Sequence, residues 1–497
     1  MKKLLAIIVL GLLLNTNAQA KHKTFDYPFL HWNTFEAKGS ENHYKFQSNL
    51  REDKDVLKEF KNNKNTGIIS YLLFENDKIV IDVSDIPKKV SSGETIIDGL
   101  LPSHSMGKSL VSYVTGHAIC EGYISSVDEK ISGWDVVKNT LYEDQVLIDL
   151  LNMKAGDQKY VGERIKPRKD NILKKDKKIN VNMVRLNTLM KDYFQDTKPS
   201  KPVYNYSALT TNVIMNYVIH KTGDDWEKLL HKVFNEHVKV KDNVYFHQTV
   251  TYPYKGSGRY SFYATRYDYL RIAKTIMDDW NNNTCAGKYL KTIYERRISK
   301  NITGYKVAGI SGYAKKYGGQ FHFDFDGLKK RKILGMSGMG GQHIMIDFER
   351  KRIIVVNTLD QHYNWKKIIW NKLKEEKAVN ASFGVAGKIN NNFNVAIDGY
   401  YVAIKDRIIL SGIFDATNFG IDLDNVQFFA NGVDTRTIGL DIVLNWKKYF
   451  ENTNISIALA GNINHMRIDK IHHKSLDKET FFGIRDRQFF LASPPKR

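Results

Sequence analysis

From Gly99 to Tyr123 the chain reads GLLPSHSMGKSLVSYVTGHAICEGY. A short approach ending in Pro102 gives way to Leu110, Val111, Val114, His117, Ala118 and Tyr123, which recur at helical spacing. Ser103 and Ser105 are placed to be N-terminal caps or first-turn residues of that helix. Ser105 and Lys108 are three apart, so on a helix they share a face one turn apart. A serine hydroxyl becomes a nucleophile when a neighbouring base takes its proton, and a desolvated lysine amine can be that base. The helix N-terminus favours the negative charge that develops there. Ser-x-x-Lys alone is a weak pattern in a chain with 75 Lys and Arg residues. Here its context raises it: a Pro/Ser-rich approach before it, and an amphipathic helix ending at Gly122 after it.

Working outward, residues 67–85 hold two strand-like runs separated by Glu75-Asn76-Asp77-Lys78, a hairpin signal. Leu150-Leu151-Asn152-Met153-Lys154-Ala155-Gly156 closes a short helix and carries no chemistry. Tyr204-Asn205-Tyr206-Ser207-Ala208 leads into a helix through Val213, Ile214, Tyr217 and Val218 that ends at Thr222-Gly223. In a chain with 27 tyrosines, the bland reading of Tyr204 and Tyr206 is loop packing. Thr265 caps a helix through Asp268 and Arg271, with Asp268 completing a capping box. Gly335-Met336-Ser337-Gly338-Met339-Gly340-Gly341-Gln342-His343 opens two strands that turn at Glu349-Arg350-Lys351.

Taken in this order, these stretches over residues 65–375 resemble the serine β-lactamase and penicillin-binding protein superfamily, in its class C-like branch with the esterases and 6-aminohexanoate-dimer hydrolases. The resemblance implies an α/β (α+β) fold: an antiparallel sheet flanked by helices, plus an all-helical subdomain. It implies Ser105 as nucleophile, with Lys108 and Tyr206 shuttling its proton. Tyr204 is the alternative to Tyr206, one strand period away. Ala208 stands where the family carries Asn or Ser, and Ser207 or Asn205 is the candidate substitute. The 335–343 stretch matches the family's edge strand, with Gly340, Gly341, Met339 and Ser207 facing substrate. The backbone N–H of Gln342 is expected to join that of Ser105 as the oxyanion hole. Met339 replaces the usual cation or histidine, which removes a partner for a substrate carboxylate and favours an esterase or amidase over a true β-lactamase.

Residues 1–20, MKKLLAIIVLGLLLNTNAQA, read as a signal peptide: Lys2 and Lys3, an apolar core from Leu4 to Leu14, and Ala18-Gln19-Ala20 as cleavage site. Export is the expectation, to the periplasm. Residues 21–64 read as an irregular lead-in, and 157–200 as a basic surface excursion. The net charge of +21 is spread along the chain, denser at 164–178 and 328–332, without the interleaved aromatics of a nucleic-acid groove. Attraction to acidic envelope surfaces fits better. Cys120 reads more simply as a small buried hydrophobe than as a disulfide partner of Cys285. No His/Asp/Glu cluster shows ligand spacing, so neither metal nor cofactor is expected.

Beyond about residue 375 alternation takes over. Phe393, Val395 and Ile397 oppose Asn394 and Asp398; Ile438, Leu440, Ile442, Leu444 and Trp446 oppose Asp441, Asn445 and Lys447; Ile455, Ile457 and Leu459 oppose Asn454 and Ser456. That predicts about five half-buried antiparallel strands. In sequence order, residues 381–497 resemble a late part of a TonB-dependent outer-membrane receptor barrel, which implies association with the outer membrane or the cell envelope. Five strands are fewer than the roughly eight that close the smallest membrane barrels, so the tail is expected to be an accessory sheet, an assembly with other copies or a chance gene fusion rather than a transporter. Three readings result: an exported serine hydrolase acting on amide or ester bonds, a catalytically impaired binding or scaffold module of the same fold, and a receptor-like fragment.

Overall fold

The computed structural model describes residues 34–86, 99–161, 184–248, 257–300, 312–328, 331–358, 366–374, 377–415, 425–426, 429–472, 478–484 and 487–488. The expected signal peptide, half of the 157–200 excursion and the whole 164–178 basic run lie outside the described residues. The chain divides into two units, 1–370 and 371–497.

In the first unit the strands are β1 (Thr34–Ala37), β2 (Gln47–Ser48), β3 (Ile68–Glu75), β4 (Lys78–Ser84), β5 (Leu101–Pro102), β6 (Val244–Gln248), β7 (Gly258–Ala264), β8 (Ile298–Ser299), β9 (Ala314–Gly318), β10 (Phe321–Phe325), β11 (Ile333–Gly338), β12 (Gln342–Asp347) and β13 (Arg352–Thr358). Nine form one sheet in the order β2-β4-β3-β13-β12-β11-β10-β9-β8, antiparallel except for the short β2–β4 pair. Four form a second, β1-β6-β7-β5. The predicted hairpin is β3–β4, with Asn76 and Asp77 at φ 50° and 60° in the turn, where such backbone suits these two residue types. β3 is buried along its whole length because both its faces are covered. The expected lead-in is not separate: β1 pairs with β6 and β2 with β4.

Five helices matter for the site: α1 (Met106–Cys120), α2 (Leu147–Leu151), α3 (Ala208–Thr222), α4 (Arg266–Asn282) and α5 (Cys285–Glu295). α4 packs on β3, β12 and β13, while α1 lies between β7, β11, α3 and α5. The expected antiparallel sheet flanked by helices is present, and among described residues 103–243 helices carry the chain with one isolated bridge, Lys130–Val146. α1 and α3 are buried nearly all round, so α1 is not the amphipathic helix expected; polar residues on them are bonded inside, as Ser109 to Gln320 O and Thr211 to Gln320 Oε1. Thr265 caps α4 as predicted, accepting from Asp268 N at 3.3 Å. The Asp268 carboxylate returns to the cap through the cap hydroxyl, accepting from Thr265 Oγ1 at 2.7 Å; it also accepts from Lys241 N, Asp242 N and Arg271, and so ties a distant loop to the helix.

Cys120 and Cys285 form a disulfide, with Cα atoms 5.8 Å apart across 165 residues. This corrects the reading of Cys120 as an unpaired hydrophobe: the end of α1 meets the start of α5, a proximity that packing of distant segments creates.

Glu129 joins the loop after α1 to α3. It accepts from Ser125 N at 2.6 Å, Ser125 Oγ at 2.7 Å and Tyr217 Oη at 2.7 Å, and pairs with Lys221 at 3.0 Å. Partial burial opposes its charge, but these donors outweigh it and draw the carboxyl from 4.5 down to about 2. A carboxyl depressed by folding stabilises the fold above its unfolded value and loses that contribution as pH falls from 4.5 through 2. Glu129→Gln is therefore expected to cost about 1–2 kcal/mol at pH 7 and less than half that at pH 3. Urea melts at the two pH values measure this; an equal difference at both would contradict it.

In the second unit, β14 (Lys377–Asn390), β15 (Phe393–Leu410), β18 (Phe429–Phe450) and β19 (Thr453–Ile471) form one antiparallel meander, and β16 (Phe414–Asp415) with β17 (Asn425–Val426) a small ribbon. The alternation did mark strands: among the described residues there are four long ones and two short ones. They are not half-buried: Phe383, Val385, Leu459 and Ile463 are each more than 60% exposed. Among the described residues, Ile409, Phe414, Val433, Phe481 and Phe482 form a small buried cluster. Among the described residues β14 and β19 are free edges, whereas a barrel pairs its first and last strands. The likeness to a receptor barrel is not supported.

Candidate active site

The turn before α1 is clamped to β7. Ser103 N donates to Phe262 O at 2.7 Å, Ser103 Oγ accepts from Phe262 N at 3.0 Å, and the same hydroxyl donates to His104 O. His104 then takes a left-handed backbone, φ 45°, and Ser105 begins the helix at φ −69°. Ser103 is thus a clamp rather than a cap. Ser105 occupies the cap position, but its hydroxyl caps nothing; it accepts from Lys108 Nζ at 3.0 Å. The two residues of the motif are brought together as their spacing predicts.

Lys108 is 1% exposed. Its Nζ lies 3.7 Å from the ring centroid of Tyr260 and 4.9 Å from that of Tyr206. Desolvation favours the neutral amine and the ring faces favour the ammonium, the balance a group needs to take a proton and return it. The His104 imidazole is pulled down to about 4, first by burial and then by the Lys108 charge, so it adds no second cation at neutral pH.

Tyr206 and Tyr204 are both buried and both pack on Tyr317, with centroids 6.1 and 5.2 Å away. Tyr206 is the one whose ring also lies over Lys108. The two substitutes considered for Ala208 are used by the scaffold. Ser207 caps α3, accepting from Thr210 N at 3.4 Å. Asn205 donates to the buried Asp157 at 2.8 Å and to Val161 O at 2.9 Å. Asp157 also accepts from Tyr142 and Thr210, and burial raises its pKa. This network anchors the tyrosine loop from behind.

The glycine stretch is the β11–β12 hairpin. Gly338 pairs with Gln342, Gly341 N donates to Gly338 O at 3.3 Å, and Gly340 and Gly341 need φ of 80° and 89°. Met339 is 57% exposed at the tip. A Cβ on Gly338 would stand 2.3 Å from Ser103 O, so this is where the strand passes the nucleophile turn. The β10–β11 register pair is His322 with Gly335, and β11 runs on past it to Gly338. Gln342 is one strand further in: it is 1% exposed, with Nε2 donating to Thr358 O and Oε1 accepting from Asn357 Nδ2. The strand that passes the nucleophile turn is therefore β11, at Gly338, and Gln342 opens the next strand, β12.

No family model and no curated protein matches the sequence. Solved structures do match. The chain is similar in fold to serine β-lactamases and penicillin-binding protein homologues. One is described as a 6-aminohexanoate-dimer hydrolase from Bacillus anthracis (TM-score 0.49, 16% identity, covering 70% of this chain and 93% of that one). Another is a class C β-lactamase from Rhodobacter sphaeroides (0.43, 11%, 62% and 94%). A third is the octameric penicillin-binding protein homologue from Pyrococcus abyssi (0.43, 12%, 84% and 97%). At these values the likeness assigns no activity; what the site can do follows from its own side chains.

Tyr260 is the site residue that sequence reading missed. It precedes the α4 cap by five positions on β7, and no spacing marks it. Its carbonyl oxygen would lie 1.7 Å from a Cβ on Gly107, so the glycine inside Ser105-Met106-Gly107-Lys108 lets the helix seat against β7. Chemically, the arrangement offers one hydroxyl, one buried amine in contact with it, two phenol-bearing rings around that amine, and a glycine-edged strand alongside.

Proposed function

We propose that the protein is a serine hydrolase that cleaves ester or amide bonds through an acyl-enzyme on Ser105. The observation that carries this is the 3.0 Å contact between Ser105 Oγ and the buried Lys108 amine. Lys108 takes the hydroxyl proton as Ser105 attacks the carbonyl, and Tyr206 relays it to the leaving group. Water then attacks the ester by the reverse path. The Ser105 N–H at the helix start and an N–H of the Gly338–Met339 segment hold the oxyanion. An exposed methionine at position 339 brings no charge to a substrate carboxylate, which favours small esters and amides over penicillins. The reading of residues 1–20 as an export signal supports a periplasmic setting for this activity.

The impaired-scaffold reading draws on Ser207 and Asn205, both committed to the framework. Turnover of p-nitrophenyl acetate, of its anilide analogue and of a chromogenic cephalosporin separates the two. Hydrolysis of the ester, lowered about 10²–10⁴-fold in Tyr206→Phe and little changed in Tyr204→Phe, is the expected result. A folded protein that turns over none of the three is a scaffold.

A further inference from the structure

At the far end of α1 from Ser105, three side chains from separate elements converge. His117 comes from α1, Asp279 from α4, and His237 from the end of a helical turn at Lys232–His237. One ligand atom from each lies within 4.8 Å of the others. His237 Nε2 is 3.0 and 3.1 Å from the two Asp279 oxygens, and the rings of His117 and His237 lie 4.9 Å apart.

A histidine–aspartate ion pair would account for His237 and Asp279. It leaves His117 unexplained. That side chain is 7% exposed, and its Nε2 has no hydrogen-bond partner, which is costly for a buried polar atom. The carboxylate is also oriented from behind: Tyr113 Oη donates to Asp279 Oδ2 at 2.6 Å and Thr284 Oγ1 to Oδ1 at 2.7 Å. Such outer donors are what hold a ligating carboxylate in place. Lys232, a cation close by, is turned to Glu121. The Cys120–Cys285 disulfide fixes the same corner, three residues after His117 and one after Thr284.

We propose that His117, His237 and Asp279 form a zinc site. Two imidazoles and one carboxylate are a zinc donor set. Tetrahedral ligands at about 2.0–2.1 Å from the metal sit roughly 3.3 Å apart, which small side-chain rotations reach from the present spacing. His237 is 37% exposed, so the fourth position opens to water. Ser105 and His117 are about 18 Å apart along the helix, so the metal braces three elements and takes no part in acyl transfer. Sequence spacing does not reveal it because each ligand comes from a different element.

The test uses the full mature chain, free of any polyhistidine tag and stripped with chelator, titrated with Zn²⁺ alone by calorimetry. One equivalent per chain is expected, with a raised melting temperature, and Co²⁺ in its place should give the visible bands of a four-coordinate N/O site. Asp279→Asn and His237→Ala should each weaken binding about 100-fold and abolish the thermal shift, while His231→Ala should not. Because Asp279 is buried, that variant could misfold; His237 is partly exposed, so His237→Ala decides on its own. Substoichiometric Zn²⁺ in the parent, or equal affinity in His237→Ala, overturns the proposal.

Discussion

A fluorophosphonate probe is expected to label the mature protein on Ser105, with the label absent in Ser105→Ala and its rate reduced about 10²–10⁴-fold in Lys108→Met. The argument is local. Lys108 contacts the hydroxyl at 3.0 Å, is shielded from water, and is ringed by Tyr206 and Tyr260. Methionine fills much of the same volume without an amine, so the fold is retained while the base is removed. Phosphonylation needs only the activated hydroxyl and the oxyanion donors, so it reports on the nucleophile independently of the natural substrate. A fluorescent penicillin should label far more slowly, because Met339 offers no charge to its carboxylate. Peptide mapping gives the position. Absence of fluorophosphonate label on folded protein, or label that persists in Ser105→Ala, would refute the acyl-enzyme. Penicillin labelling at a comparable rate would reverse the preference for esters and amides.

The second large effect is expected at Gly107. Its ideal Cβ would meet Tyr260 O at 1.7 Å and Ser103 Oγ at 2.8 Å. The hydroxyl is a side-chain end that can rotate away, whereas the carbonyl is backbone, held between the β6–β7 pairs Gln248–Gly258 and Phe246–Phe262 on either side of it. α1 must then lift from β7, and the lift acts on the first turn, where Ser105 and Lys108 sit. Gly107→Ala is expected to destabilise the protein by about 3 kcal/mol and to slow labelling of Ser105 even in the fraction that remains folded. Alanine in place of glycine otherwise favours a helix, so the direction is a sharp test. Gly461→Ala is the control: nothing lies within 4 Å of the added Cβ, and its effect should stay within about 0.5 kcal/mol. A Gly107→Ala protein that melts with the parent and labels at the parent's rate would mean that the helix and β7 are less closely seated than described.

What was legible in the sequence is what short-range chemistry dictates. The Ser105–Lys108 contact follows from helical spacing, the β3–β4 hairpin from Asn76-Asp77 between two apolar runs, and the α4 cap from Thr265 three residues before Asp268. The resemblance implied the antiparallel sheet flanked by helices and the all-helical subdomain. Alternation along the tail marked strands, because a period of two is a backbone property.

Which residues share the site was decided by tertiary structure. Ser207 became the cap of α3, which begins at Ala208. Pairing put β11, at Gly338, beside Ser103, and Gln342 opens the next strand, β12. Tyr260 carried no motif, yet its ring covers Lys108. Cys120 and Cys285 are 165 residues apart, and His117, His237 and Asp279 span a similar stretch of chain. The tail's alternation marked two faces but not whether either is covered, since burial depends on a second layer that the strand's own sequence does not encode. Periodicity and capping act over a few residues and are written in the chain. Contacts between distant segments depend on how whole elements pack, and that is settled only when the core closes.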